Sequence, residues 1–142
     1  MAFLTAADEQ EVRRIFEPLS GPVKLVVFSQ SLAAAELCAQ NEQLVREVAA
    51  LSDKISVETL NLAIDRERAE AYGIDQVPAI VVEGARDYGI RFYGVPSGYE
   101  FSNLIDSILV ASSGEPGLSE ETMASLGALA DDVDIKVFST PT

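Results

Sequence analysis

The chain has 142 residues, 48% of them apolar, which is enough for one compact domain and the start of another. Asp and Glu number 23 against 10 Lys and Arg, for a net charge of −13, so the surface repels nucleic acid and anionic lipid alike. There is no His, no Trp and a single Cys, which removes His-dependent nucleophilic catalysis, the usual zinc sites and any internal disulfide. No run reaches the ~20 apolar residues that span a bilayer. The opening Met-Ala-Phe-Leu-Thr lacks the basic and long apolar regions of a signal peptide, so a cytoplasmic protein is the expectation.

Thr5 caps a predicted helix with Asp8 in its first turn, and Val12, Ile15, Phe16 and Leu19 recur at helical spacing. Pro18 and Ser20-Gly21-Pro22 end it. Val23 to Phe28 is a nearly continuous apolar run, the pattern of a strand buried on both faces. Ser31 to Leu51 reads as helix, with Ser31 as cap and Leu37, Leu44, Val48 and Leu51 on one apolar face. Lys54 to Leu62 carries β-branched Ile55, Val57 and Thr59 on one side and predicts a strand. Asp65 to Tyr72 is a short charged helix with Gly73 as its C′ residue. Val77-Pro78 precedes an apolar strand, Ala79 to Val82. A turn at Glu83-Gly84-Ala85-Arg86 then leads into a strand from Tyr88 to Tyr93. Ser97 and Glu100 have capping-box spacing ahead of a helix bearing Phe101, Leu104, Ile105, Ile108 and Leu109. The interleaved order predicts an α/β layer fold with a mixed central sheet flanked by helices.

Ser112 to Gly117 is a Ser-, Gly- and Pro-containing linker, after which the pattern restarts. A capped helix is expected over Ser119 to Leu129 and a strand over Asp134 to Ser139. Val137-Phe138-Ser139 repeats Val27-Phe28-Ser29 at an offset of 110 residues, about one small domain. The expected organisation is therefore one complete unit over residues 1–113 and the opening helix and strand of a second over 118–142. Asp131-Asp132-Val133-Asp134 is read as a solvated turn and not a metal site. Gly94 to Gly98 is read as a strand-to-helix turn, because it lacks phosphate-loop spacing and a nearby Lys.

Val23 to Phe28, Asp53-Lys54, Tyr72-Gly73-Ile74-Asp75, Val77-Pro78-Ala79 and Gly94-Val95-Pro96-Ser97-Gly98-Tyr99-Glu100-Phe101 stand in the order and spacing of one group. The chain resembles the first unit of glutaredoxin-like protein disulfide oxidoreductases, which join two tandem thioredoxin folds. It is similar also to the amino-terminal domain of the alkyl hydroperoxide reductase flavoprotein subunit. The resemblance implies a thioredoxin-like fold and dithiol–disulfide exchange without a cofactor. It also implies a cis peptide at Val77-Pro78 in a substrate-facing binding loop. The tetrad that matches Cys-x-x-Cys is Ala35-Glu36-Leu37-Cys38: the attacking position holds Ala35, and only the resolving-position thiol, Cys38, remains as a catalytic candidate. Glu36 is read as a solvated helix residue.

One thiol cannot cycle between dithiol and disulfide. The leading expectation is a redox-inactive unit that acts as scaffold or docking unit for an active second unit. One alternative is a one-thiol oxidoreductase using Cys38 with a protein or small thiol partner. The other is an interaction module that forms a homodimer through the terminal strand. The residues leave open whether the chain is an enzyme. In the resembling families the second Cys-x-x-Cys follows a short Thr-Pro-Thr-like segment, and this sequence closes on Ser139-Thr140-Pro141-Thr142. A cut chain, a split gene and a UGA-encoded selenocysteine are three readings of that ending.

Overall fold

The computed structural model of the protein describes residues 2–140. Helix α1 (Ala6–Phe16) is followed by strand β1 (Val23–Ser29), helix α2 (Ala35–Ala49), strand β2 (Ile55–Asn61) and helix α3 (Arg66–Tyr72). Strands β3 (Ala79–Glu83) and β4 (Asp87–Tyr93), a single 3-10 turn at Gly98–Glu100, α4 (Phe101–Ser113) and α5 (Glu120–Gly127) complete the order. The four strands form one mixed sheet in the order β2-β1-β3-β4, with β1 parallel to β2 and antiparallel to β3.

β1 and β3 are the two inner strands of that order, and both are buried along almost their whole length. Val23, Leu25 and Val27 point into a large cluster with Phe16 of α1, Leu44, Val45 and Val48 of α2, and Leu104 and Ile108 of α4. The alternate residues Val26 and Phe28 point the other way, onto Ala69 of α3, Ile74, Ala79 and Val81. Burying Phe28 alone removes enough apolar surface to be worth about 2–3 kcal/mol.

The smaller face is sealed by polar groups around Tyr72. Its ring meets Phe28 edge-on at 6.1 Å, and the guanidinium groups of Arg68 and Arg91 lie 5.9 and 5.6 Å from its centre. Its hydroxyl donates to Glu83 at 2.8 Å. Arg91 also donates to the Tyr72 carbonyl and holds Asp87 in a two-pronged contact at 2.8 and 2.6 Å. Lys24 sits between Glu58 and Glu83 at 3.4 and 3.5 Å. Arg68 holds the Glu58 carboxyl below its ordinary range, and Arg91 does the same for Asp87.

The element ends follow their chemistry. At α1, Thr5 Oγ1 accepts from the Asp8 N–H at 3.2 Å while Asp8 accepts from the Thr5 N–H at 2.8 Å, the reciprocal capping pattern. The helix stops at Phe16, short of the expected Leu19, which is buried just beyond it. At α3, Gly73 takes φ +69° while Gly73 and Ile74 donate back to Glu70 and Ala69, a Schellman ending that only a left-handed residue permits.

Three expectations are corrected. The capping box at Ser97 and Glu100 does not form: Gly98–Glu100 is a 3-10 turn, Ser97 makes no side-chain cap, and α4 starts at Phe101. α2 starts at Ala35 and not at Ser31, because Ala34 is left-handed and interrupts the helix. Residues 134–139 form no strand. A lone strand leaves its backbone groups without a ladder, and no described residue pairs with this segment. The predicted helix at 119–129 is present as α5, capped by Ser119, but no residue of it is buried. Pro141 and Thr142, the end of the Thr-Pro-Thr-like segment, lie outside the described residues. No helix among the described residues is long and apolar enough to cross a membrane.

Candidate functional site

The strand register brings the predicted site segments to one end of the sheet. Ser29, the last residue of β1, pairs with Asn61, the last of β2, and Phe28 pairs with Ala79, the first of β3. The chain therefore leaves β1 toward Ala35 and Cys38 beside the point where Val77-Pro78 enters β3. The Val77–Pro78 peptide bond is cis. Pro78 is buried, and its carbonyl accepts the Gly94 N–H at 2.9 Å, tying the loop to the end of β4. Val77 is half-buried against the α3 face.

Between Ser29 and α2 the chain runs through an exposed loop that ends at Ala34, with φ +52° and ψ +33°. A β-carbon makes that conformation cost ~1 kcal/mol, and Ala34 is the one non-glycine with positive φ among the described residues. The strain sets the helix start. The Ala34 carbonyl accepts the Cys38 N–H at 2.9 Å, the first bond of α2. Ala35 is the first helical residue and is exposed; Cys38 is in the same turn, three residues on, and is only 3% exposed.

The face of α2 that packs on the sheet is Cys38, Asn41, Leu44, Val45 and Val48. Leu37 is not part of it and is about half exposed. The expected seam of Leu37, Leu44 and Leu51 repeats every seven residues, and a straight helix of 3.6 residues per turn drifts about 20° from that repeat each time. Leu51 lies beyond the helix but is buried.

Two features, one beside the site and one toward the other end of the sheet, escape the sequence reading. Asn41 is fully buried one turn from Cys38, and neither its side-chain nitrogen nor its oxygen has a hydrogen-bond partner. The spacing 38, 41, 45, 48 is the signal that places it on the core face. The second feature is the ion network around Tyr72, whose members are scattered from Lys24 to Arg91 and share no local pattern. Among the described residues no group of three His, Cys, Asp or Glu side chains is arranged to hold a metal. Chemically the site thus offers one buried thiol, Cys38, three residues after the exposed Ala35.

No known family profile matches the chain. A probable thioredoxin of Methanothermobacter thermautotrophicus is 43% identical over 54 residues, which is 38% of this chain and 59% of that protein. The NTD_N/C domain of alkylhydroperoxide reductase AhpF from Enterococcus faecalis superposes with a TM-score of 0.80 at 27% identity, covering 89% of this chain and 61% of that one. A protein disulfide oxidoreductase from Aeropyrum pernix K1 superposes with a TM-score of 0.75 over 88% of this chain and 55% of that one, and its 22% identity speaks for the fold alone. The chain spans less than two thirds of the length of each of these relatives. Its fold is thioredoxin-like, and it is similar to thiol–disulfide oxidoreductases of that fold.

Proposed function

We propose that residues 1–113 are a cytoplasmic thioredoxin-fold unit that does not itself cycle between dithiol and disulfide. In this reading it serves as scaffold and docking unit for an active second unit, of which residues 118–142 are the opening. The observation that carries the reading is the pairing of an exposed alanine, Ala35, with a single buried thiol, Cys38. Disulfide exchange needs a thiolate that a partner sulfur can reach in line, and a complete cycle needs a second thiol to release the mixed disulfide. The Val77-Pro78 loop is retained as a binding element without a thiol opposite it. The exposed apolar residues of the terminal segment, among them Met123, Leu126, Ile135 and Val137, support the second-unit reading, since a helix with no buried residue has not found its core. No cofactor enters the reading, and the strong negative charge argues for protein partners over nucleic acid or anionic membrane.

The test is thiol accessibility on the native protein, read by intact mass after treatment with a disulfide reagent or with oxidised glutathione. The expected result is no adduct at Cys38 until denaturant is added. If opening the helix N-terminus costs about 4 kcal/mol, reaction is slowed roughly a thousandfold against the unfolded chain. An adduct formed at the rate of a free thiol, with turnover in a disulfide-reductase assay, would instead make Cys38 the centre of a one-thiol oxidoreductase.

A further inference from the structure

Helix α2 has two unequal halves, and the second is firmly held. Leu44, Val45 and Val48 are buried in the large cluster. The Glu47 carboxylate accepts from the N–H groups of Phe3 and Leu4 at 2.8 and 3.0 Å, and Gln43 donates to its other oxygen at 2.9 Å. The first half has far less to hold it. Residues 31–37 and Ala39 are all exposed, and Cys38 and Asn41 are the two buried residues between 31 and 41. Cys38 belongs to neither apolar cluster of the unit. Segments with so few buried apolar contacts are the ones that open first.

Backbone hydrogen bonds are what keep these first two turns closed, and three features work against them. Asn41 is fully buried with Nδ2 and Oδ1 both unpaired, and each gains water when the segment opens. Packing alone asks for an apolar side chain at that position, on the same face as the thiol and one turn from it. Ala34 is held left-handed at the helix entrance, with φ +52°, and opening relaxes it. The helix start also has no side-chain cap, so its first N–H groups lose no side-chain partner on opening. The half of α2 that is weakest is thus the half that carries the chain's single thiol.

We propose that residues 35–41 form a redox-sensitive latch: they open locally while the rest of the unit stays folded, and a small disulfide of the glutathione type captures Cys38 and holds them open. The proposal rests on the single buried thiol of the reading above and adds the route by which that thiol becomes reachable. In the opened state Cys38 gives its proton to solvent, and its thiolate attacks one sulfur of the disulfide. A bond forms between Cys38 Sγ and that sulfur, and the S–S bond of the disulfide breaks. The second glutathione leaves as a thiolate and takes up a proton, so Cys38 is oxidised and the departing glutathione is reduced. The attached tripeptide has no room beneath a packed helix, so the latch stays open until another thiol removes it. With one Cys in the chain, no internal disulfide competes.

The test follows modification of Cys38 on the full chain by excess oxidised glutathione, read by intact mass at a series of urea concentrations below the unfolding transition. The expected rate in native buffer is about a thousandfold below that of the unfolded chain. Native Cys38 is therefore silent while an unfolded chain reacts fully, and the latch is read beyond that time. The rate is expected to stay flat in low urea, because opening two turns exposes little surface. Asn41→Ala removes the amide that gains from water and is expected to slow the reaction about tenfold. Ala34→Gly removes the strain of the closed state and is expected to slow it about threefold. In the glutathione adduct, amide hydrogen exchange is expected to rise over residues 31–41 and not over 44–49. A rate that climbs with the first urea in step with global unfolding overturns the proposal. So do variants that react at the parent's rate, or an adduct whose exchange rises throughout the sheet. Failure of the non-catalytic reading looks different: modification at the rate of a free thiol, with reductase turnover, sinks that reading. Modification only through global unfolding leaves it standing and sinks the latch alone.

Discussion

Replacing Ala35 by cysteine restores the missing partner of Cys38 at a distance that the helix geometry fixes. Residues three apart on an α-helix of 1.5 Å rise and 2.3 Å radius have Cα atoms about 5 Å apart. That lies inside the 4.4–6.8 Å range that a disulfide bridges. Ala35 is exposed, so the added sulfur displaces nothing in the core, whereas Cys38 lies beneath it in the same turn. The outer thiol sits where unpaired helix N–H groups favour a thiolate and so reacts first; the inner one then closes on it. The four-residue ring stabilises the oxidised protein by about 2 kcal/mol through chain entropy, which moves a urea midpoint by about 1 M. The expected product of Ala35→Cys in oxidised glutathione is therefore a protein lighter by two hydrogens, with a raised midpoint that dithiothreitol reverses, and a gain in disulfide-reductase activity. A product that keeps one glutathione and never closes would refute the reasoning. It would show that Cys38 does not share a face with position 35 and that the tetrad is misplaced.

Asn41→Ala removes a buried amide without partners, worth about 1–3 kcal/mol, and adds helix propensity, while the space it leaves costs about 1 kcal/mol. The variant is expected to be more stable by about 1–2 kcal/mol, read as a melting temperature higher by about 3–7 °C, and a lower one would mean that the amide is satisfied. Gly84→Ala is expected to lose about 3 kcal/mol in denaturant titration, because the new methyl would meet the Ala111 carbonyl oxygen at 1.9 Å and push the β3–β4 turn off α4. Asp87→Asn tests the contact with Arg91, whose hydrogen bonds hold the Asp87 carboxyl below its ordinary value of 3.8. A depressed carboxylate pKa contributes stability above the unfolded value and loses it as pH falls through the folded one. The parent is therefore expected to exceed the variant in unfolding midpoint near neutral pH. The gap should close in the acid range below 3.8, and a gap independent of pH would exclude the ion pair as its source.

The thioredoxin-like fold is legible in the sequence because its elements carry local signals. The apolar run of Val23 to Phe28 can be satisfied only between two layers, the Thr5–Asp8 pair caps one helix, and Gly73 ends another with a left-handed turn. That the chain has a single thiol, Cys38, and an alanine at position 35 is equally a matter of residue identity. Ser31, Ser97 and the 134–139 segment depart from their patterns for a common reason. A cap or strand pattern states what a segment can do, and a left-handed Ala34, a 3-10 turn at Gly98–Glu100 and the lack of a ladder partner decide otherwise.

The sequence by itself determined which side chains are available: one thiol, no imidazole, a surplus of 13 negative charges and a fold whose central strand must be buried. Only the tertiary structure decided which of them face solvent. Helix rotation set Cys38 and Asn41 inward and Leu37 outward, and strand register drew Leu32, Ile64 and Tyr99 to one end from three separate loops. Burial and proximity of that kind arise from packing between elements, which local sequence patterns do not encode.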